Sequence, residues 1–358
     1  MTFVFRPVEH LIMKKSSRFV DVLNGKRSWP PPVWLMRQAG RYLPEYRKVR
    51  ADAGSFLDLC YQPKLAAEVT IQPIRRYGMD AAIIFADILL VGEALGQALR
   101  FDEGVGPILE PKINAANLSK LRLAGAEDRL KPIYETVFLV RQGISDDTAV
   151  IGFCGAPWTV ATYMAAGKSP GEHIDGKLWA YQDPDSFADL MDMLVELSTD
   201  YLVGQIDAGA NAVKIFDSWA GVLSQGQFEK WVIAPTKTLV ENVKAKRPGV
   251  PIIGFPRGGG ALYPDYIAKT GVDAVALDTT IPGAYGRDLQ KLCPVQGNID
   301  PIALMAGGEV LDDAVDRVLE NFGSGPLVVS LGHGVNKETN PDHVAQLVER
   351  VRAAKDPS

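Results

Sequence analysis

Short apolar runs alternate with longer amphipathic ones along almost the whole chain. The apolar runs "VWLM" (33–36), "AAIIF" (81–85), "AVIGF" (149–153), "AVKIF" (212–216), "PIIGF" (251–255), "DAVAL" (273–277), "PVQG" (294–297) and "LVVSL" (327–331) predict strands. Helical spacing fills the intervals at 63–77, 127–142, 185–206, 226–246 and 309–322, and 341–354 closes the chain. Strands alternating with helices imply a parallel sheet, and near-continuous apolar strands imply burial on both faces. A doubly wound sheet gives the same alternation. Eight strands with a helix after the last favour a closed (β/α)8 TIM barrel in the α/β class.

Polar residues gather where the apolar runs end: Arg37, Asp87, "GAPWT", Asp217-Ser218, Arg257, Asp278, Asn298 and His333. In a parallel barrel these ends converge on the face where active sites form. No linker, repeat or low-complexity segment divides the chain. The expectation is one domain spanning 1–358, with a short N-terminal extension at about 1–28 and rim loops at roughly 88–126 and 164–184.

Charge narrows the partners. Thirty-eight basic against 43 acidic residues give no reason to expect nucleic acid or a membrane surface. The three cysteines, Cys60, Cys154 and Cys293, are far apart and form no CxxC, so neither a disulfide framework nor a zinc ribbon is expected. The N-terminal stretch lacks an unbroken apolar run followed by a small-residue cleavage site, and the run around "AAIIFADILLV" is too short to span a bilayer. A reducing cytoplasm is the expected location.

Against this balance, Leu35 to Arg50 carries five cations and one anion, a local charge of +4 in a chain of −5. Arg37 and Arg41 belong either to a solvated basic loop or to an anion site; their place after an apolar run favours the second. Guanidinium forks grip carboxylates or phosphates bidentately. On spacing alone Asp87 is equally an N-cap for "ILLVGEAL" or a functional carboxylate. Tyr163 is open to a core role, and His333, set between glycines, should be accessible. "FPRGGG" (255–260) is neither a Walker A loop nor GxGxxG. His10, His173, His333 and His343 are scattered without ligand spacing, so no metal site is expected. No motif points to NAD, ATP or pyridoxal phosphate.

Five stretches, "PVWLMRQAGRYLPEYR", "MDAAIIFADIL", "GFCGAPWT", "QGNIDP" and "LGHGV", closely resemble the uroporphyrinogen decarboxylase family, in order and from about residue 30 to 345. The resemblance implies a lyase of haem and tetrapyrrole biosynthesis that uses no cofactor and forms homodimers. Such enzymes remove carbon dioxide from the four acetates of uroporphyrinogen III to give coproporphyrinogen III. By the same resemblance Asp87, Arg37 and Arg50 are catalytic. Arg37, Gln38, Ala39, Gly40, Arg41, Asp87, Tyr163, Ser218 and His333 are expected to bind substrate, and no residue to bind metal. Arg257 and the glycines after it receive no role. Two alternatives stand beside this. A zinc-dependent, corrinoid-linked methyltransferase of the same superfamily needs His/Cys ligands that the chain does not space. A non-catalytic tetrapyrrole carrier needs no central acid such as Asp87.

Overall fold

The computed structural model describes residues 17–102, 104–169 and 171–356. Its strands are β1 (Ala81–Ile83), β2 (Ala98–Asp102), β3 (Gly106–Glu110), β4 (Ala149–Gly155), β5 (Ala212–Asp217), β6 (Ile252–Pro256), β7 (Ala274–Ala276), β8 (Val295–Ile299) and β9 (Leu327–Leu331). Seven of them form one parallel sheet in the order β1-β4-β5-β6-β7-β8-β9, each pair crossed by helices. Every residue of β4, β5, β6 and β9 is buried. Helices cover one face and side chains of the curled sheet fill the other, which is why these strands read as unbroken apolar runs. Each of the seven runs from 81 onward becomes a strand, shifted by at most two residues at either end.

The run at 33–36 departs from expectation. It forms no strand, only an isolated parallel bridge between Val33 and Val329. Pro30, Pro31 and Pro32 precede it and have no N–H to donate. Farther on, the Leu35 N–H turns to the side chain of Gln38 (3.1 Å) rather than to a neighbouring strand. The segment still bonds both sheet edges. Val329 N donates to Pro32 O (2.9 Å), Trp34 N to Val329 O (3.3 Å), and Asp80 N, beside β1, to Val33 O (2.9 Å).

Other departures are local. The 88–126 excursion holds a short helix, Leu90–Ala94, and the antiparallel hairpin β2–β3; the 164–184 excursion holds the helix Ile174–Gln182. The hairpin's alternation is weak, and one of its few apolar anchors is Phe101 packed on Phe56 at 4.5 Å. The helix read at 226–246 is interrupted by a π turn, Glu229–Ile233, before continuing as Ala234–Lys246. Pro235 lacks the N–H that a regular helix would use there. The helix at 63–77 appears with the expected bounds, Pro63 opening it and Gly78 (φ 62°) ending it. Of the N-terminal extension, residues 1–16 lie outside the described residues. No helix among the described residues is long and apolar enough to cross a membrane.

Asp80 fastens the bridging segment. Its carboxylate accepts from Val33 N (2.7 Å), Arg18 (2.7 Å) and Arg352 (2.6 Å), joining the first described helix, the 33–36 segment and the C-terminal helix. Asp80→Ala should cost about 2–4 kcal/mol, because it strands a buried N–H and unpairs two cations. Denaturant unfolding checks this; a loss under about 1 kcal/mol would reduce Asp80 to an ordinary surface pair.

Candidate active site

The turn after the bridging segment begins at Arg37, whose backbone is left-handed (φ 63°), a sparsely populated region for a residue with a side chain. Gln38 holds it there. That side chain is fully buried, accepting from Leu35 N and donating to Ala81 O (3.0 Å), while the Tyr42 hydroxyl donates to Gln38 O (2.8 Å). Gln38 is thus consumed by the scaffold. Ala39 and Gly40 are half-buried, and Arg41 is exposed on the outer turn. No hydrogen bond or ion pair ties the Arg37 or Arg41 guanidinium to any described residue.

Arg37 is exposed and reaches across the strand ends. It packs against Gly334, where a Cβ would stand 2.5 Å from the arginine Cδ and push the Arg37 side chain aside. Next to it lie Asp87, past the end of β1, and His333, past the end of β9. Burial pushes the Asp87 carboxyl up to about 6, against the opposing pull of the Leu89 N–H and the Arg37 guanidinium. Its Oδ1 accepts from Leu89 N (2.9 Å), a local turn rather than a helix cap, since the helix starts one residue later. His333 is half-buried, less open than its glycine neighbours suggest. Burial pushes its imidazole down to about 3, and Arg37, Arg257 and Lys214 all press the same way. It is therefore neutral at any ordinary pH.

Arg50 belongs to the helix Pro44–Asp52 and donates to Gly54 O. The buried Cys60 thiol feels both the Asp87 and the Arg50 charges, which sets Arg50 on the Asp87 side of the cleft. Ser218 follows β5 directly and is half-buried, with no hydrogen-bond partner among the described residues. Tyr163, half-buried on the helix Pro157–Ala166, has its ring 6.5 Å from that of Trp219. The remaining polar strand ends serve the scaffold. Asp217 is buried behind the sheet and accepts from the Thr159 hydroxyl (2.6 Å). Asp278 binds Gly258 N (2.7 Å) and Thr280 N (2.9 Å), and the Asn298 amide donates to Asp278 O and Ile281 O (3.0 Å each).

Lys214 escaped the sequence reading. It lies on the face of β5 shared with Phe216 and Ser218, and is buried with its ammonium 5.0, 4.8 and 4.9 Å from the ring centres of Trp34, Phe216 and Phe255. Burial drives its pKa well down. The signal was a single lysine inside an otherwise apolar run. The arrangement as a whole is one half-buried carboxylate among several cations, suited to an anionic ligand with a donor-rich or cationic centre. Among the described residues, no three His, Cys, Asp or Glu side chains cluster as metal ligands.

A sequence model of the family described as uroporphyrinogen decarboxylase (URO-D) matches residues 14–354. The uroporphyrinogen decarboxylase of Agrobacterium fabrum is 52% identical over 336 residues, 94% of this chain and 97% of that protein. Its namesake from Rhodospirillum rubrum is 51% identical over 343 residues, 96% and 99% of the two chains. Among solved structures, a methyltransferase from Methanosarcina mazei superposes with a TM-score of 0.77 at 18% identity, covering 93% of this chain and 97% of that one. That last likeness concerns the fold alone.

The raised Asp87 pKa has a testable sign. The folded state holds a proton that the unfolded chain releases near 4, so this contribution to stability is full below about 4 and lost as pH rises through about 6. Carboxyl 13C titration should place Asp87 near 6, and higher still in Arg37→Ala. A midpoint near the ordinary aspartate value of about 4 would contradict the enclosure described here.

Proposed function

The chain belongs to the uroporphyrinogen decarboxylase family, and from that membership we propose that the cleft takes uroporphyrinogen III and strips carbon dioxide from its four acetates, releasing coproporphyrinogen III. The protein is a carboxy-lyase of that family. The near-full-length match carries this reading. We place the site at one end of a (β/α)8 barrel whose eighth stave is the bridged segment around Val33, and we take the enzyme to be a cytoplasmic homodimer of single-domain subunits.

The substrate fits the charges. Its rim bears eight carboxylates, which call for cations such as Arg37 and Arg41. Its centre bears four pyrrole N–H donors, which one acceptor such as Asp87 can collect. Decarboxylation leaves an electron pair on the acetate methylene, and that pair needs a sink. Protonation of a pyrrole α-carbon turns the ring into that sink. The C–C bond to the carboxylate then breaks and carbon dioxide leaves; a proton adds to the methylene carbon to complete a methyl group, and loss of the proton first added at the α-carbon restores the neutral pyrrole. In this scheme the substrate supplies its own electron sink.

Asp87, ionised above about 6, faces the cationic ring and lowers the energy of the charged intermediate. Arg37 orients the departing carboxylate and, by its charge, favours the ionised form of Asp87. Arg50 stands on the same side, near the reacting group. Tyr163, Ser218 and the neutral His333 offer hydrogen bonds to the substrate's edge, with the imidazole free both to donate and to accept. Gln38, Ala39 and Gly40 set the backbone of the arginine turn. Supporting this division of labour are the uncommitted guanidiniums and the single carboxylate among them.

Anaerobic incubation with uroporphyrinogen III, followed by porphyrin chromatography and measurement of carbon dioxide, tests the reading. Coproporphyrin should accumulate through partly decarboxylated intermediates; unchanged uroporphyrin would refute it. Arg37→Ala should keep the wild-type melting temperature and lose kcat/KM by a factor equivalent to about 3–5 kcal/mol, the cost of unpairing a desolvated carboxylate. An Arg37→Ala enzyme within about twofold of wild type would return Arg37 to a solvated loop.

A further inference from the structure

Arg257 has no role in the scheme so far, yet its setting is unusually well built. The β5–β6 register pairs Asp217 with Pro256, so Ser218 and Arg257 emerge side by side at the two strand ends. The backbone of Arg257 is held from two directions. Its N–H donates to Asp217 O (3.1 Å), and its carbonyl accepts from Gly221 N (3.0 Å). The next residue is fastened too: Gly258 N donates to Asp278 Oδ2 (2.7 Å). Gly221 approaches so closely that a Cβ there would lie 2.2 Å from Gly258 O. The arginine therefore starts from a fixed point.

Its guanidinium is different. Half-buried, it lies near enough to His333 to depress the imidazole. It makes no hydrogen bond or ion pair with any described residue. Many arginines outside the cleft are paired, among them Arg247 with Asp207, Arg350 with Asp316 and Arg76 with Glu45. The acids on the adjoining strand ends are already engaged. Asp278 Oδ1 accepts from Thr280 N and the Thr280 hydroxyl, and Oδ2 from Gly258 N and the Tyr263 hydroxyl. Asp217 lies behind the sheet with Thr159. An unpaired, half-buried cation that shares His333 with the Arg37 guanidinium is poorly placed unless an anion joins it.

We propose that Arg257 is a further substrate-binding residue, gripping one carboxylate of the substrate rim between Ser218 and His333. The assignment rests on the proposed decarboxylase reading for the identity of that carboxylate. The fork geometry of a guanidinium suits a bidentate hold that lysine would reproduce only in part.

The test uses the full chain and two independent readouts. Binding of uroporphyrin III, the oxidised ring with the same eight carboxylates, is followed by fluorescence; turnover of uroporphyrinogen is followed separately. Arg257→Gln should raise both Kd and KM roughly 10- to 100-fold, the worth of one charged hydrogen-bonded pair, with kcat within about threefold of wild type. Arg257→Lys should fall between, and it decides the matter in the same way if the glutamine variant does not fold. Arg317→Gln, an exposed and equally unpaired arginine on the outer helix Gly308–Phe322, is the control and should change neither. Unchanged Kd in the Arg257 variants overturns the proposal, as does a fall in kcat with KM kept, which would mean action through His333 alone. Absence of turnover in wild type would refute the decarboxylase reading, while the Kd comparison would still judge Arg257.

Discussion

The fold turns on how the two edges of a seven-stranded parallel sheet are joined. The segment after three prolines lies between them, bonded to β9 through Val329 and to β1 through Asp80. The Asp80 carboxylate locks it, tying Val33 N to cations from both ends of the chain. Gln38 then fixes the turn that follows, at the cost of a left-handed backbone at Arg37. One buried carboxylate and one buried amide thus determine where the most important cation of the cleft is held.

Electrostatics in the cleft follow from unequal pairing. Over most of the surface, arginines and lysines meet acids. At the strand ends Arg37, Arg41 and Arg257 meet none among the described residues, and Lys214 has aromatic rings around its ammonium. Burial, with this excess pressing the same way, keeps His333 uncharged, and burial keeps Asp87 within reach of protonation just below neutrality. A polyanionic ring with a donor-rich centre would satisfy both imbalances at once, which is how the proposed reaction and the charges of the cleft come to agree.

Much of this was legible in the sequence, and the exceptions have physical reasons. Strands buried on both faces announce themselves as apolar runs, so β4, β5 and β9 were placed closely. The 33–36 run has the same composition, yet its prolines lack donors and Gln38 captures Leu35, facts that only long-range geometry reveals. The β2–β3 hairpin is mostly exposed and leaves little pattern. Among site residues, Arg37, Asp87 and His333 do converge, as their places after apolar runs implied. Gln38 instead faces the scaffold, because a buried amide bonds whatever backbone lies nearest. Lys214 was missed because a burial pattern averages over a run and hides its one charged member.

In the proposed reaction the Asp87 charge, and not merely its shape, drives the chemistry. Asp87→Asn separates the two, since the asparagine carbonyl can still accept from Leu89 N and from a pyrrole N–H while carrying no charge. Melting temperature, anaerobic affinity for coproporphyrinogen III and kcat for uroporphyrinogen III should be measured together on one preparation. Wild-type melting, retained product affinity and a kcat lowered by about 10²–10³ are expected if the charge drives the reaction. A folded Asp87→Asn enzyme that turns over within about twofold of wild type would contradict it.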